Sequence, residues 1–150
     1  TRVVTLRLNY AVETRYGVLH DIAKAVIGWR PIDLNMGYVN VIWQGDASEI
    51  AIRSLRFARS PPRILNLTGP EKISVRWAAT EFGRLLGVRP VFRNSEEGTA
   101  LLNDAASTLK VFGRPRVSLK QMMVWVANWL KGGGRSLDKP THFQERAGRF

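Results

Sequence analysis

The residue types that most often carry out catalysis are few in this chain of 150 residues, and their spacing forms no catalytic set. Cysteine is absent from the sequence, which excludes disulfides, thiol chemistry and zinc–thiolate sites. The two histidines, His20 and His142, are far apart in the sequence, so we expect no metal site. Neither histidine is placed by sequence to activate Ser60 or Ser118, and no catalytic triad can be inferred.

Adjacent carboxylates and glycine-rich loops are the other places where chemistry could occur. Glu96 and Glu97 could exchange protons with a substrate, but adjacent acidic residues in a polar stretch beside Gly98 are usually solvated. The sequence contains neither G-x-G-x-x-G nor G-x-x-x-x-G-K-[ST], the loops that hold nucleotide phosphates. The glycines at 132–134 follow a helical pattern, which predicts a helix end. We therefore expect no catalytic residue in this chain.

The net charge of +11 raises the question of nucleic-acid binding, because lysine and arginine neutralise phosphates. The basic residues are spread along the chain, with no run of like charge and no alternation with aromatic residues. A nucleic-acid partner is therefore the less favoured interpretation. A free-standing basic binding module remains the alternative function, and a gel-shift titration at low and moderate salt would test it.

Segments with strand and helix patterns alternate along the chain. The strand patterns cover residues 3–8, 32–34, 39–43, 64–67 and 88–92, and the helical patterns cover 17–27, 46–59, 74–86 and 118–130. Asp46, Ser74 and Ser118 are expected to cap helix N-termini. Gly28 and Gly87 stand where helices end. This alternation predicts an α/β or α+β arrangement.

The tryptophans have a simpler interpretation than ligand binding. Trp77, Trp125 and Trp129 recur at helical spacing, which predicts core packing. Trp43 ends a strand pattern and could border a cleft, although packing is the favoured role.

Two segments in the first half of the chain match patterns of one enzyme family. Residues 7–12, RLNYAV, resemble the strand that follows the catalytic Tyr-x-x-x-Lys helix in extended short-chain dehydrogenases, where the family reads Arg-x-x-Asn-x-x-Gly. Residues 38–46, YVNVIWQGD, resemble the family's Asp-Tyr-Ile-His-Val-x-Asp-x-Ala strand and helix start.

The second half continues the match in the same order. Residues 65–75, LNLTGPEKISV, resemble the family's Tyr-Asn-Leu-Gly-x-Gly-x-x-x-Ser-Val turn and helix cap. Residues 102–106, LNDAA, resemble the family's Asp-x-Ser-Lys-Ala segment. Residues 112–119, FGRPRVSL, resemble its Leu-Gly-Trp-x-Pro-x-Val-Ser-Leu segment. Each pattern is weak alone, but four in order, covering the chain to about Trp129, resemble the NAD-dependent epimerase/dehydratase family.

The resemblance implies the fold and the function. The fold is α/β: the C-terminal strands and helices of a Rossmann-type extended short-chain dehydrogenase with its small substrate-binding domain, over residues 1–130, followed by a polar tail at 131–150. The implied function is the substrate-binding half of an NAD(P)-dependent epimerase, dehydratase or reductase that acts by hydride transfer on a sugar-like or other hydroxyl or carbonyl substrate. The first residue is not methionine, so we expect a longer parent protein that carries the catalytic Tyr-x-x-x-Lys.

The resemblance also implies where ligands bind. Asn9 and Tyr10 would lie near the nicotinamide of NAD or NADP in the parent protein, and the isolated chain is expected to bind neither cofactor tightly. The expected substrate-binding residues are Glu13, Arg15, Tyr16, Trp43 and Arg93.

At two positions the sequence departs from the family pattern in a way that concerns the substrate. Nucleotide-sugar enzymes of the family place a diphosphate-binding arginine where this chain has Met36, and a second one near Ser95. Neither residue reproduces the bidentate contacts of a guanidinium with phosphate. We therefore expect a substrate other than a typical nucleotide sugar; the alternative is that Arg15, Arg89 or Arg93 supplies the diphosphate contacts instead.

The expected partners follow from the same interpretation. They are an N-terminal Rossmann half, a small-molecule substrate and a second copy of the protein, because an unpaired sheet edge favours self-association. No apolar run is long enough to span a membrane and no signal-peptide pattern is present, so a cytoplasmic location is expected.

Overall fold

The computed structural model describes residues 1–146, and short strands alternate with helices through this range. The strands are β1 (Val4–Leu8), β2 (Ala11–Val12), β3 (Ile32–Asp33), β4 (Tyr38–Val39), β5 (Ile42–Trp43), β6 (Arg63–Leu67), β7 (Ile73–Ser74) and β8 (Phe92–Arg93). The helices are α1 (Val18–Ile27), α2 (Gln44–Ser54), α3 (Val75–Leu86), α4 (Ala106–Phe112) and α5 (Leu119–Lys131), with a 3₁₀ turn at Leu55–Phe57.

The strands form pairs, and most of the pairs are parallel. β1 pairs with β6 over five residues, β2 pairs with β5, and β3 pairs with β8, all in parallel register. β4 and β7 form an antiparallel pair. Parallel strands need a crossover connection, and helices supply it here. The predicted α/β fold class is confirmed.

The main core lies among α1, α3 and α5. Val18, Leu19 and Ile22 on α1 pack with Phe82 on α3 and Val126 on α5, and each is at most 1% exposed. A smaller cluster joins α2 to β5 and β6. No helix among residues 1–146 is long and apolar enough to cross a membrane.

The helix ends predicted for α3 and α5 are confirmed. The Ser74 hydroxyl accepts the Trp77 backbone N–H at 3.2 Å, and the Ser118 hydroxyl accepts the Gln121 N–H at 3.3 Å. Gly87 ends α3 with a φ of +72°, a left-handed conformation that costs glycine little.

The prediction of one strand over residues 39–43 is wrong. The segment divides into β4 and β5, which pair with different strands. The division falls at Asn40, whose side chain bonds to Asn9 and Asn103, and at Val41, whose carbonyl accepts the Gly69 N–H at 3.0 Å. These contacts come from distant parts of the chain, so the local apolar pattern does not reveal them.

Two further local predictions need correction. Asp46 does not cap α2, which begins at Gln44; the buried Asp46 carboxylate instead accepts the backbone N–H of Val117 at 3.0 Å. The strand predicted over residues 88–92 is confined to β8, since the Val88 N–H closes α3 by donating to Gly83 and Pro90 has no N–H. Helix α4 was not predicted.

Candidate functional site at the strand ends

The expected cofactor-binding residues follow β1 directly. The Asn9 N–H donates to the Leu67 carbonyl at 3.0 Å, which extends the β1–β6 pairing by one residue. The Tyr10 carbonyl then accepts the Ile42 N–H at 3.0 Å, where the chain passes to the β2–β5 pair. Ligands of parallel α/β sheets bind outside the carboxyl ends of the strands. Asn9 and Tyr10 thus lie at the carboxyl end of β1, where the chain passes into β2.

Three asparagines are connected by hydrogen bonds at this edge. The Asn9 amide donates to Asn40 Oδ1 at 2.6 Å, and the Asn40 amide donates to the Asn103 carbonyl at 2.7 Å. The Asn103 amide donates to the Arg7 carbonyl at 3.0 Å. We call Asn9, Asn40 and Asn103 the asparagine cluster; it joins three segments that are distant in sequence and fixes the residue that follows β1.

Asn40→Ala should reduce the free energy of unfolding by about 1–3 kcal/mol, because it leaves the Asn9 amide and the Asn103 carbonyl without their partner. Asn40 is 7% exposed, so water replaces these bonds poorly. The control is Asn128→Ala on the exposed side of α5, which should change stability little. Urea denaturation of both variants measures the difference, and equal losses would show that the cluster does not stabilise the fold.

A tight turn presents the expected substrate-binding residues Glu13, Arg15 and Tyr16. The Glu13 N–H donates to the Tyr16 carbonyl at 3.0 Å, and the Glu13 carboxylate accepts the Arg15 Nε at 2.9 Å. Burial raises the pKa of the Tyr10 phenol, and the nearby Tyr16 phenol adds to this shift. The structure therefore brings Tyr10 and the 13–16 turn together.

Trp43 lies next to this turn through strand pairing. It pairs in register with Val12, and its ring meets the edge of Trp125 with centroids 5.0 Å apart. The half-buried ring thus joins β5 to α5 and remains partly exposed to solvent.

Arg93 lies on a different strand pair from the other expected site residues. On β8 it faces Asp33 of β3, and its Nε donates to the Asp33 carboxylate at 3.1 Å. Burial alone would raise the pKa of Asp33, but bonds from the Asn35 N–H, Asn94 and Arg93 outweigh it and lower that pKa. The guanidinium of Arg93 is already paired, which limits what it can offer a ligand.

The loop after β8 is attached to α3 by a bidentate ion pair. Arg76 Nε and Nη2 donate to the two oxygens of Glu96 at 2.6 and 3.0 Å. Glu96 also packs on Gly37, where a Cβ would lie 2.8 Å from its Cγ. The sequence interpretation of Glu96 as a freely solvated charge is wrong, because the carboxylate holds the loop against α3.

This pairing predicts a pH dependence. The Arg76 guanidinium lowers the pKa of Glu96 to about 2 from an ordinary value of 4.5. A lowered carboxylate pKa stabilises the folded state above pH 4.5, and this stabilisation is lost as the pH falls through about 2. Side-chain carbon NMR should find the pKa of Glu96 restored towards its ordinary value in Arg76→Gln. In the control variant Arg84→Gln the pKa of Glu96 should remain low, because the Arg84 guanidinium pairs with Glu81. An ordinary pKa for Glu96 in the unmodified protein would contradict the pairing.

Sequence reasoning missed several polar residues of this edge. Asn40 and Asn103 lie within apolar or irregular stretches, and their pairing over 63 residues leaves no local signal. Thr68, 1% exposed, follows β6, and its hydroxyl has no hydrogen-bond partner among the described residues. Across residues 1–146, no three histidine, aspartate or glutamate side chains come together as metal ligands.

Comparison with known proteins places this arrangement in a known fold. Neither a protein-family model nor a curated protein sequence matches the chain. Among solved structures, UDP-glucuronic acid 4-epimerase from Bacillus cereus in complex with NAD superposes with a TM-score of 0.67 and 15% identity, covering 87% of this chain and 45% of that one. The chain therefore shares the Rossmann-type α/β fold of short-chain dehydrogenases over about half the length of these structures.

Two other structures show the same fold. An epimerase from Methanothermobacter thermautotrophicus gives a TM-score of 0.69 at 13% identity, over 89% of this chain and 44% of that chain. GDP-mannoheptose C4 reductase from Campylobacter jejuni with NADP bound gives 0.65 at 17% identity, over 87% and 50%. The chain thus spans about half the length of these enzymes. The fold that the four sequence patterns predicted is confirmed.

The glycine-rich turn of a Rossmann dinucleotide site is not found among residues 1–146. A Rossmann pyrophosphate lies on a glycine-rich turn between a strand and a helix N-terminus. In residues 1–146, the turns that lead from strands into α1, α2 and α3 contain no such glycine pattern.

Proposed function

We propose that this chain is the substrate-selecting part of an NAD(P)-dependent enzyme with epimerase- or reductase-type hydride chemistry, and that it acts with a dinucleotide-binding half. The observation that carries the proposal is the fold that the chain shares with about half of each of several such enzymes. Three of the structural neighbours are named as epimerases or a reductase and have NAD or NADP bound. The expected cytoplasmic location and the domain boundary at residue 130 remain predictions.

The β1–β6 pair offers a docking edge for the second half. Among the described residues, β1 pairs with β6 alone, so its other edge is open. Apolar side chains on or beside this pair face solvent: Leu8 is 57% exposed, Ile64 51% and Val3 39%. An open strand edge with apolar side chains is a template for pairing with another strand. A parallel sheet in the dinucleotide-binding half would continue across it.

In this arrangement the residues after β1 and β2 would face the ligands. Asn9 and Tyr10 leave the carboxyl end of β1 and would contact the nicotinamide side of the cleft. The turn at residues 13–16 and the exposed part of Trp43 would border the substrate. Arg93, paired with Asp33, would have to exchange partners to bind an anionic substrate. The substrate would accordingly be recognised mainly by the turn at residues 13–16 and by Trp43.

The docking edge is tested by sedimentation of the purified 150-residue chain. Without a dinucleotide-binding half, the open edge should cause self-association, which Val3→Lys with Ile64→Lys should suppress. The matched control, Leu101→Lys with Leu137→Lys, adds the same charge at exposed apolar residues elsewhere and should leave association unchanged. A strictly monomeric, well-folded chain at high concentration would count against this edge as the docking surface.

A further inference from the structure

The segment after α5 runs back across α1 and is held there by side chains. His20, 2% exposed, has its Nε2 2.8 Å from the Ser136 hydroxyl. The Asp21 carboxylate accepts both the N–H and the hydroxyl of Thr141, at 2.8 and 2.7 Å. Phe143 is 1% exposed and joins the main core. The segment is therefore a fixed part of the surface over α1.

Between α1 and this segment lies a polar depression with a volume of about 390 Å³, which we call the α1 basin. Four cationic side chains line it: Arg15, Lys24, Arg30 and Lys139. This volume lies within the range of about 300–1,000 Å³ that is typical of small-molecule sites. The basin thus has the size of a ligand site and an excess of positive charge.

The two carboxylates in the wall of the basin are already engaged. Asp21 accepts two hydrogen bonds from Thr141, and Asp138 pairs with Lys24 at 2.7 Å. Arg30 and Lys139 have no ion pair with any residue of 1–146. Because like charges that line one depression repel each other, an anion among them would be favoured.

We propose that the α1 basin binds a small organic anion that carries two or more negative charges on carboxylate or phosphate groups. Arg30 and Lys139 would make charge-assisted hydrogen bonds to it. The site is separate from the asparagine cluster, since no residue of that cluster lines the basin. An anion held between Arg30 on the α1 side and Lys139 on the C-terminal segment would fasten this segment to α1. The proposal does not depend on the proposed enzymatic function.

Calorimetric titration of the full 150-residue chain at constant ionic strength tests the site. Citrate supplies carboxylates, inorganic phosphate supplies the phosphoryl group, and glycerol is the neutral control. Saturable 1:1 binding of citrate or phosphate, with none of glycerol, is expected. The tighter binder of the two identifies the type of anionic group. No saturable binding of either anion would overturn the proposal.

Matched variants separate a specific site from the general positive charge of the chain. Arg30→Gln with Lys139→Gln should weaken binding by about tenfold or more, because both direct contacts are lost. Arg2→Gln with Arg89→Gln removes the same charge from exposed arginines outside the basin and should change the affinity by less than about twofold. All four side chains are exposed, so each double variant should fold normally. Equal weakening in the two double variants would show nonspecific attraction and overturn the site.

Discussion

Phe82→Ala should reduce the free energy of unfolding by about 3–5 kcal/mol, a large share of the stability of a domain of this size. Phe82 lies on α3, is fully buried and is among the largest side chains of the main core. Removing its ring leaves a cavity that α1, α3 and α5 can fill only in part. Chemical denaturation followed by circular dichroism measures the loss.

The control for Phe82 is a second aromatic residue on the same helix. Trp77 is 49% exposed, so Trp77→Ala should cost less than about 1 kcal/mol although its side chain is larger. A loss for Trp77→Ala as large as that for Phe82→Ala would mean that α3 packs with a different face towards the core.

The other large effect is expected for Gly69→Ala, with a loss of at least about 2 kcal/mol. A Cβ at this residue would lie 2.2 Å from the Val41 carbonyl oxygen, which also accepts the Gly69 N–H. Alanine would push the end of β6 away from Val41 and disturb the edge where β1, β5 and β6 meet. Asn40 of the asparagine cluster directly precedes Val41, so the hydrogen bonds of the cluster should weaken as well.

Gly98→Ala is the matched control for Gly69. Nothing lies within 4 Å of a Cβ at Gly98, and no left-handed backbone is required there. This substitution should be neutral or stabilise by up to about 1 kcal/mol, since alanine restricts the unfolded chain. Thermal unfolding of the two variants separates the cases, and a neutral Gly69→Ala would show that Val41 is not so close to the end of β6.

Local features were predictable because they depend on adjacent residues. The serine caps at Ser74 and Ser118 and the glycine end at Gly87 need only neighbouring backbone groups, and the structure has all three. Trp77 shows where local pattern stops being sufficient. Its spacing predicts core packing, but Trp77 is 49% exposed. The residues of α3 that are buried against α1 are Ala78, Ala79 and Phe82. Only the tertiary contact between the two helices decides which face is buried.

The candidate site likewise contains local features, which the sequence predicts, and contacts between distant segments, which it does not. The turn that holds Glu13, Arg15 and Tyr16 is local, and the structure presents these residues together beside Tyr10. Arg93 is held by Asp33, 60 residues away, on a pairing that no pattern in either segment indicates. The links from Asn9 to Asn40 and from Asn40 to Asn103 span 31 and 63 residues and likewise had no signal in the sequence. The family resemblance supplied the fold but not these bonds.

Dinucleotide titration of the complete product of the gene that encodes this chain, alongside the 150-residue chain alone, tests the central claim most directly. The complete product should contain a glycine-rich fingerprint and Tyr-x-x-x-Lys upstream of Thr1, and it should bind NAD(H) or NADP(H) saturably. The chain alone should bind neither cofactor. A chain that binds a dinucleotide by itself, or a complete product that binds none, would contradict the assignment of this chain as the substrate-selecting half.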